Sequence, residues 1–373
     1  MANLAHAIGE AAVPAADPFD GTPYRVRRRL ASGSVGEVFV VEHRELGSDF
    51  VAKLLHRRYL TDPQIVDRVR IEAQALGRLN HPNIVSVLGY GLTRDHRPYV
   101  VTEYLRGQTL GELLGSVGPL PTLDALVYAC QMLWALAAAH SIGIVHRDIK
   151  PENLFLVERP GAPALLKVLD FSIARVIPGV APQAPLPLAL PTDTGIIVGT
   201  PRYISPEAAL GQHADHRADI YGVAMVLYRM LTGRCPFDFA KDHAEMLLAH
   251  VTEQPQPPSH FTRVPLDPDL DSIVLKALEK KPEDRYQTAK EFETALASLT
   301  ERLLANHDPG AATGPAAVGE TPSLPPVRAS ALEPSTIAEA AGGRWRFLVY
   351  VFVSLATAIV VALIGSYGGL GSR

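Results

Sequence analysis

The sequence predicts an α+β fold in which a mostly β N-terminal region precedes a larger, mostly helical region. Alternating apolar and polar residues in YRVRRRLASGSVGEVFVVEH and RPYVVTEYL predict strands within residues 23–104, with one helix between them. Longer runs such as TLDALVYACQMLWALAAAHSIG and DIYGVAMVLYRMLTG predict helices within residues 105–300. This segregation of strands and helices along the chain is typical of the α+β class.

The composition limits the classes of function. The chain has 373 residues, of which 20% are charged and 47% hydrophobic, and its net charge is −4. A chain of this length accommodates one large or two ordinary domains. The charge balance provides no broad basic surface, so we expect no nucleic-acid partner. Cys130 and Cys235 are the only cysteines, which favours a reducing compartment over a disulfide framework.

Segments on both sides of the central region have a different character. Residues 1–22 lack a basic leading segment and an unbroken apolar core, so we expect a disordered tail rather than a secretion signal. Residues 301–343 contain six prolines amid Ala, Gly and Ser, with little periodicity. This composition predicts a flexible linker.

An uncharged segment follows the linker. Phe347–Ile364 contains no charged residue, and a helix over Phe347–Tyr367 would be roughly 31 Å long, close to the thickness of a bilayer core. Residues 344–367 therefore predict a single-pass transmembrane helix; the alternative is a buried helix of a globular domain. Arg344 and Arg346 predict a cytoplasmic N-terminal side. We expect residues 368–373 to form a short extracytoplasmic tail, with no extracellular sensor domain.

Two features of the β region are compatible with phosphate binding. In LASGSVGEVFV, Gly33 and Gly36 would let a hairpin backbone approach phosphates closely, although glycine hairpins are common. Lys53 lies inside the apolar strand FVAKLL, where it is either an edge lysine extending to solvent or a cation held for phosphate oxygens. Glu72, on the following predicted helix, is a carboxylate that would fix such a cation.

The segment IVHRDIKPENLFL combines three complementary groups at short spacing. The Asp148 carboxylate can orient a hydroxyl and accept its proton, and the Lys150 ammonium can neutralise a transferring phosphoryl group. The Asn153 amide oxygen can ligate Mg²⁺. In LLKVLDFSIAR, Asp170 ends an apolar run, where a carboxylate is unfavourable unless it binds something.

These motifs, in this order, resemble those of protein kinases, and more narrowly the Hanks-type serine/threonine kinases of bacteria. The resemblance covers residues 23–300. Its motifs are the Gly-rich loop, the strand lysine, the helix glutamate, HRDIKPEN, DFS, GTPRYISPE, DIYGVAMVLYRMLTG and KKPEDRY. It implies a bilobal protein kinase fold, with an N-lobe at 23–104 and a C-lobe at 105–300, that uses ATP and Mg²⁺, or Mn²⁺ in its place.

The resemblance implies a role for each catalytic residue. Lys53, paired with Glu72, would hold the α- and β-phosphates of ATP. Asp148 would be the catalytic base, and Lys150 would contact the γ-phosphate. Lysine at this place in HRDIKPEN resembles the serine/threonine subgroup rather than tyrosine kinases.

The resemblance also implies the metal and nucleotide sites. Asn153 and Asp170 would hold Mg²⁺. Thr102 would be the gatekeeper, beside the hinge residues Glu103 and Leu105, which would offer backbone groups to adenine. The residues expected to contact ATP are Leu30, Ala31, Ser32, Gly33, Ser34, Val35, Gly36, Val38, Val51, Lys53, Thr102, Glu103, Leu105, Asn153 and Asp170.

Regulatory, substrate and structural positions follow from the same resemblance. Arg147 would pair with a phosphorylated activation-loop residue. Thr192 and Thr194 match positions of autophosphorylation, the alternative being plain loop threonines. Thr200 matches the threonine that lines the hydroxyl-substrate site. The positions expected to be structural are the ion pair of Glu207 with Arg285, and Asp219, which would hold the catalytic-loop backbone.

Three residues and one insert depart from the family pattern. Ala31 replaces the first glycine of the phosphate loop, and Val51 replaces an alanine above the adenine ring. Ser172 replaces the last glycine of the family's DFG motif, where a positive φ costs a serine about 1 kcal/mol. We expect altered loop switching with the metal-binding carboxylate retained. Residues 176–191 contain five prolines, which favours an extended or disordered insert.

The resulting expectation is a non-specific serine/threonine protein kinase that phosphorylates protein substrates and its own activation loop. It would be anchored in the bacterial inner (cytoplasmic) membrane, with the kinase domain in the cytoplasm. One alternative is a pseudokinase that acts as a membrane-tethered nucleotide-binding scaffold; another is an interaction protein that uses the fold structurally. A homodimer is compatible with the family, although no residue points to one.

Overall fold

The computed structural model describes residues 17–33, 35–60, 63–159, 161–171 and 201–305. Residues 17–158 and 165–305 of this set belong to one compact unit. Residues 159–164 form a short turn of their own, in which the Ala162 amide donates a hydrogen bond to the Arg159 carbonyl at 3.1 Å. The predicted transmembrane helix at 344–367, the tail at 368–373 and most of the linker lie outside the described residues.

The N-terminal lobe is an antiparallel sheet with one helix, as the alternating pattern predicts. Its elements are β1 (Tyr24–Ser32), β2 (Gly36–His43), β3 (Asp49–Leu55), α1 (Pro63–Arg78), β4 (Val87–Leu92) and β5 (Pro98–Glu103). The five strands lie in the order β1-β2-β3-β5-β4. Neighbouring strands are all antiparallel, so short connections suffice for most of them.

The two faces of this sheet are buried against different partners. Along β5, Val100 faces the same cluster as Val69 and Ala73 of α1. Its neighbours Tyr99 and Val101 belong to a second cluster on the opposite face. Successive strand residues point to opposite faces, so β5, buried from Pro98 to Val101, serves both clusters at once.

The second cluster is closed by a residue from the segment predicted to be a tail. Phe19 is 0% exposed and packs edge-on against Phe39 and Tyr99, with ring centroids 5.7 and 5.3 Å away. Asp17 Oδ1 accepts a hydrogen bond from the Phe19 amide at 2.9 Å, and the Thr22 hydroxyl donates to the Phe19 carbonyl at 2.7 Å. The prediction of a disordered tail is therefore wrong for residues 17–22, because burial of one aromatic ring orders the segment.

The C-terminal lobe is mostly helical and begins with a small sheet of order β6-β7-β8. The strands are β6 (Gly107–Thr109), β7 (Leu154–Val157) and β8 (Leu165–Val168), and the helices are α2 (Leu110–Val117), α3 (Thr122–Ser141), α4 (Pro206–Ala209), α5 (Arg217–Thr232), α6 (His243–Thr252), α7 (Pro268–Ala277) and α8 (Ala289–Ala305). α8 extends past the predicted domain boundary at residue 300, and Leu299 near its end is 2% exposed. The α+β prediction with two lobes is confirmed.

The core of the C-terminal lobe is built around α3. Ala125, Leu126, Met132 and Leu136 are all 0% exposed, and α3 packs against α5, α8 and β8. Of the helices in the described ranges, α3 is the one long and apolar enough to cross a membrane by length and composition. Its burial within the lobe accounts for that apolarity.

A buried ion pair joins α4 to the loop after α7. Arg285 Nη2 and Nη1 lie 2.7 and 2.9 Å from the two carboxylate oxygens of Glu207. The guanidinium group also donates to the carbonyls of Glu279, Lys280 and Arg217. The guanidinium donors of Arg285 are thus used by the Glu207 carboxylate and by three backbone carbonyls. These hydrogen bonds offset the desolvation cost of burying the ion pair. The pair expected from the sequence is therefore present and fully buried.

Replacing Phe19 tests whether the N-terminal segment is part of the folded lobe. Phe19→Ala removes a fully buried ring from between Phe39 and Tyr99, so we expect a loss of about 3–5 kcal/mol in the free energy of unfolding. The measurement is thermal or denaturant unfolding of the full-length protein. The matched control is Phe239→Ala, since Phe239 is 55% exposed. Equal destabilisation by the two substitutions would contradict the packing role of Phe19.

Candidate active site

Three predicted catalytic side chains converge at the loop between α3 and β7. Lys150 Nζ lies 2.6 Å from Asp148 Oδ2. Asn153 Nδ2 donates to the Asp148 backbone carbonyl at 2.8 Å and to Asp148 Oδ2 at 3.0 Å. Asn153 is positioned by a single 3-10 turn, Pro151–Asn153, that leads directly into β7. The Asp148 side chain is 39% exposed and thus accessible to a substrate hydroxyl.

The backbone of this loop is held by Asp219 from the first turn of α5. Asp219 Oδ2 accepts hydrogen bonds from the His146 amide and from His140 Nε2, both at 2.8 Å. Asp219 Oδ1 accepts from the Arg147 amide at 2.6 Å. Arg147 has φ 62°, a left-handed conformation that non-glycine residues rarely adopt. The carboxylate therefore holds a strained turn immediately before Asp148.

His146 links this loop to the segment that carries Asp170. The His146 ring nitrogen Nε2 lies 2.8 Å from the Leu169 carbonyl, and its ring packs edge-on against Phe171. The Leu169 amide donates to the Asn153 carbonyl at 2.8 Å. These contacts bring Asn153 and Asp170 to the same place, as the magnesium hypothesis requires. Phe171 is 3% exposed and contributes to the core.

Asp170 forms an ion pair across the two lobes. Its Oδ1 lies 3.0 Å from Nζ of Lys53 on β3. Desolvation would raise the pKa of the Asp170 carboxyl, but the charge and hydrogen bond of Lys53 hold that pKa below its usual value. Asp170 is thus ionised at neutral pH, and it has φ 49° two residues after the end of β8. Aspartate is among the residues that best tolerate this left-handed conformation.

The expected ion pair between Lys53 and Glu72 is not formed in this structure. Within the described residues, the Lys53 ammonium pairs with Asp170 instead. Glu72 lies in the middle of α1, with its side chain half-buried. Its position in the sequence indicates which helix carries the carboxylate. Whether this carboxylate reaches Lys53 depends on how closely α1 packs against β3, and the spacing of residues along the sequence does not determine that distance.

The Gly-rich hairpin joins β1 to β2 above the cleft. The Gly33 amide donates to the Gly36 carbonyl at 2.9 Å, and a Cβ at Gly36 would collide with the Leu54 carbonyl oxygen. Glycine is therefore required at Gly36 by the close approach of β3. The His56 ring nitrogen Nε2 lies 2.8 Å from the Gly33 carbonyl, a contact that the sequence analysis missed. Ser34, expected to contact ATP, lies outside the described residues.

The remaining nucleotide-site residues fall on strands that face the cleft or on the hinge. Val38 pairs with Lys53 in the sheet register, and Val51 pairs with Thr102. The hinge follows β5, and no hydrogen bond from the Leu105 amide is formed within the described part of the chain. This donor is available for an acceptor nitrogen of adenine. Leu30, Ala31 and Ser32 form the end of β1, and Val35 is 6% exposed beneath the hairpin.

A second interlobe ion pair lies beside the hinge and was not predicted. Lys167 Nζ on β8 lies 2.8 Å from Glu103 Oε1 and 3.1 Å from the Ile84 carbonyl. Glu103 Oε1 also accepts from the Ser86 amide at 2.8 Å. Desolvation opposes ionisation of Glu103, yet the hydrogen bonds from Lys167 and Ser86 lower the pKa of its carboxyl. A lone lysine inside the apolar run LLKVL was the available signal.

Asn153 and Asp170 provide oxygen atoms of the kind that bind a divalent cation. Both Asn153 contacts to Asp148 are made by Nδ2, so the amide oxygen is the atom available to a cation. Asp170 supplies an ionised carboxylate that is 52% exposed. Mg²⁺ prefers one or two such protein oxygens together with substrate phosphates. The residues therefore fit Mg²⁺, which would neutralise phosphate charge at this site.

Three of the predicted positions belong to the segment before α4 that the structure does not describe. Thr192, Thr194 and Thr200 lie outside the described residues, as does Ser172. Arg147 lies inside them, and its guanidinium forms no ion pair with any carboxylate of the described residues.

Comparison with known proteins agrees with this geometry. A family model described as a protein kinase domain matches residues 24–296. The chain belongs to the protein kinase family. The kinase domain of Mycobacterium tuberculosis PknI is similar in structure, with a TM-score of 0.56 at 25% identity, over 78% of this chain and 99% of that domain.

Two curated serine/threonine-protein kinases are similar in sequence to this kinase-family chain. Pkn1 of Myxococcus xanthus is 41% identical over 287 residues, which is 76% of this chain and 40% of Pkn1. PknB of Mycobacterium tuberculosis is 36% identical over 325 residues, which is 86% of this chain and 47% of PknB. The chain therefore spans less than half the length of each of these two relatives.

Asp219 can be tested by an isosteric substitution. Asp219→Asn keeps the size of the side chain but replaces one acceptor by an amide donor, which leaves a buried backbone N–H without its partner. We expect the free energy of unfolding to fall by about 1–3 kcal/mol in denaturant titrations of the full-length kinase. The control is Asp242→Asn, because Asp242 caps α6 at the surface and asparagine caps equally well. An unchanged midpoint for Asp219→Asn would contradict this role.

Proposed function

We propose that this protein is a serine/threonine protein kinase that transfers the γ-phosphate of ATP to Ser or Thr hydroxyls of protein substrates. The observation that carries the proposal is the convergence of Asp148, Lys150 and Asn153 beside the Lys53–Asp170 ion pair. A scaffold without phosphoryl transfer has no chemical use for this complete set. The names of Pkn1 and PknB support serine/threonine specificity.

The geometry supports different roles for Asp148 and Lys150 in the catalytic loop. Asp148 would orient the substrate hydroxyl and accept its proton, because its carboxylate is partly exposed and held by Asn153. The Lys150 ammonium, 2.6 Å from that carboxylate, would place positive charge next to the phosphoryl group as charge redistributes in the transition state. Thr200 would line the hydroxyl-substrate site.

ATP would bind between the lobes. The Leu105 amide would donate to adenine, the Gly33–Gly36 hairpin would cover the phosphates, and Lys53 would contact them as a fixed cation. Asn153 and Asp170 would hold Mg²⁺, or Mn²⁺ in its place. In this arrangement Asp170 would exchange part of its contact with Lys53 for the metal.

The pairing of Lys53 with Asp170 rather than with Glu72 supports regulation of this activity. Kinase-family catalysis requires the strand lysine to pair with the helix glutamate, so a shift of α1 toward β3 would accompany activation. A phosphate on Thr192 or Thr194 would supply a partner for the Arg147 guanidinium through charge-assisted hydrogen bonds. We include autophosphorylation of these threonines in the proposal.

Membrane attachment is the remaining part of the proposal. The uncharged segment at 344–367, preceded by two arginines, would anchor the protein in the inner membrane with its kinase domain in the cytoplasm. The proline-rich linker at 301–343 would tether the domain near the membrane surface. Confinement to a membrane raises the effective concentration of neighbouring copies, which would favour a homodimer and phosphorylation between copies.

Transfer activity is tested with Asp148→Asn. Loss of the general base is expected to lower kcat by about 10²- to 10⁴-fold when the full-length protein is incubated with Mg²⁺, γ-labelled ATP and a generic protein acceptor. The control is Asp49→Asn, an exposed aspartate at the start of β3, which should retain wild-type activity. Equal labelling by Asp148→Asn and wild type would contradict the proposed base. No labelling by wild type would favour the scaffold alternative.

Activation-loop phosphorylation is tested by mass spectrometry of the active protein. We expect phosphate on Thr192 or Thr194, and the double substitution Thr192→Ala/Thr194→Ala should lower activity because Arg147 then lacks its anionic partner. Thr300→Ala, in α8, is the control for loss of a threonine. Active protein that carries no phosphate at either position would refute this part of the proposal.

Membrane anchoring is tested by fractionation of cells that express the full-length chain. The protein should stay in the membrane fraction after washing with high salt and be released by detergent, because a spanning helix is held by apolar contacts. A variant that ends at residue 343 should appear in the soluble fraction. Release of the full-length protein by salt alone would contradict a spanning helix.

A further inference from the structure

A small cavity lies directly behind the catalytic loop. Its volume is about 20 Å³, and its walls include Arg147 and Ile149 of the loop, Ser205 before α4, and Asp219 and Gly222 of α5. α5 approaches the loop closely here, since a Cβ added at Gly222 would lie 2.9 Å from the Ile149 Cβ. The cavity therefore lies where the catalytic loop, the segment before α4 and α5 meet.

Two residues that line this cavity each have a buried polar atom with no hydrogen-bond partner in the described part of the chain. These atoms are Oγ of Ser205, a residue that is 4% exposed, and Nε of Arg147. A buried donor or acceptor left unpaired costs about 1–3 kcal/mol, so two in one cavity indicate that something occupies it.

The position of Ser205 in the fold strengthens this indication. Ser205 is the residue immediately before α4, where a serine hydroxyl ordinarily accepts a hydrogen bond from the helix backbone. Its side chain forms no such bond. The Ser205 hydroxyl therefore does not cap the helix, and Ser205 lines the cavity instead.

Asp219 offers a third polar group to the same space. Within the described residues, its Oδ1 accepts one hydrogen bond, from the Arg147 amide. A carboxylate oxygen has two acceptor sites, so one remains on Oδ1. Arg147 Nε–H can only donate, Asp219 can only accept, and the Ser205 hydroxyl can do either.

We propose that this cavity holds one ordered water molecule that joins Arg147, Ser205 and Asp219. A volume of about 20 Å³ accommodates a single water and is too small for a phosphate or another polyatomic anion. The water would accept a hydrogen bond from Arg147 Nε and donate one to Asp219 Oδ1. Its third hydrogen bond would be formed with the Ser205 hydroxyl, which can donate or accept. Three such partners are the usual number for a buried water.

The proposed water makes Ser205 a positioning residue for the catalytic loop; this consequence rests on the proposed kinase activity. With Nε satisfied inside the cavity, the two terminal nitrogens of Arg147 remain available for an activating phosphate. Arg147 immediately precedes Asp148, so the water also connects the segment that enters α4 to the catalytic aspartate.

The first test is a crystal structure of the full-length wild-type protein at a resolution that shows ordered waters elsewhere in the lobe. We expect a water within hydrogen-bond distance of Arg147 Nε and Ser205 Oγ. An empty cavity, or direct contact between the two side chains, would overturn the proposal. This readout does not depend on activity, so it decides the water site even if the protein transfers no phosphate.

The second test compares two substitutions at Ser205. Ser205→Ala leaves space for the water with two of its partners, whereas the two methyl groups of Ser205→Val fill the cavity and expel it. We expect kcat to fall about tenfold in Ser205→Val and clearly less in Ser205→Ala, with KM for ATP unchanged in both. Ser272→Val, at an exposed position of α7, is the control.

The comparison is made well below the unfolding temperature of each variant, so that general destabilisation does not lower kcat. Equal kcat values for folded Ser205→Ala and Ser205→Val would show that the water has no positioning role. If Ser205→Val does not fold, the structure of Ser205→Ala decides instead: retention of the water between Arg147 and Asp219 supports the site, and its loss refutes it.

Discussion

Asp219 is 1% exposed at the start of α5, and its carboxylate accepts hydrogen bonds from His140 and from the amides of His146 and Arg147. A buried carboxylate is unfavourable unless its acceptor sites are used, and here each oxygen has at least one donor. Because two donors are consecutive backbone amides, this carboxylate stabilises the left-handed turn at Arg147. The direction of Asp148 follows from that turn, so the geometry of the catalytic loop depends on α5 being in place.

The cleft above this loop is held together by charges from both lobes. Lys53 of β3 pairs with Asp170 after β8, and Glu103 of the hinge pairs with Lys167 of β8. Both pairs connect the N-terminal sheet to β8 or to the residues directly after it. Neither of these two ion pairs involves a side chain of α1. The charged contacts that hold the cleft together therefore come from β3, the hinge, β8 and the residue two places after β8.

Local sequence was sufficient for much of the fold and for the centre of the site. Alternation predicted the strands of the N-terminal lobe, and the short spacing of Asp148, Lys150 and Asn153 predicted a cluster because these residues share one loop. His140 and Lys167 were not predicted, since their partners lie 79 and 64 residues away along the chain. Phe19 was missed for the same reason. Its segment has few apolar residues, and its burial depends on rings from β2 and β5.

The sequence by itself determined the α+β class, the order of the motifs and the identity of the groups that carry chemistry, because these depend on periodicity and on residues close in the chain. Only the tertiary structure decided that Lys53 pairs with Asp170 rather than Glu72, and that residues 17–22 belong to the folded lobe. These outcomes depend on distances between separate elements. Such distances are determined by how sheet and helices pack, which no local pattern specifies.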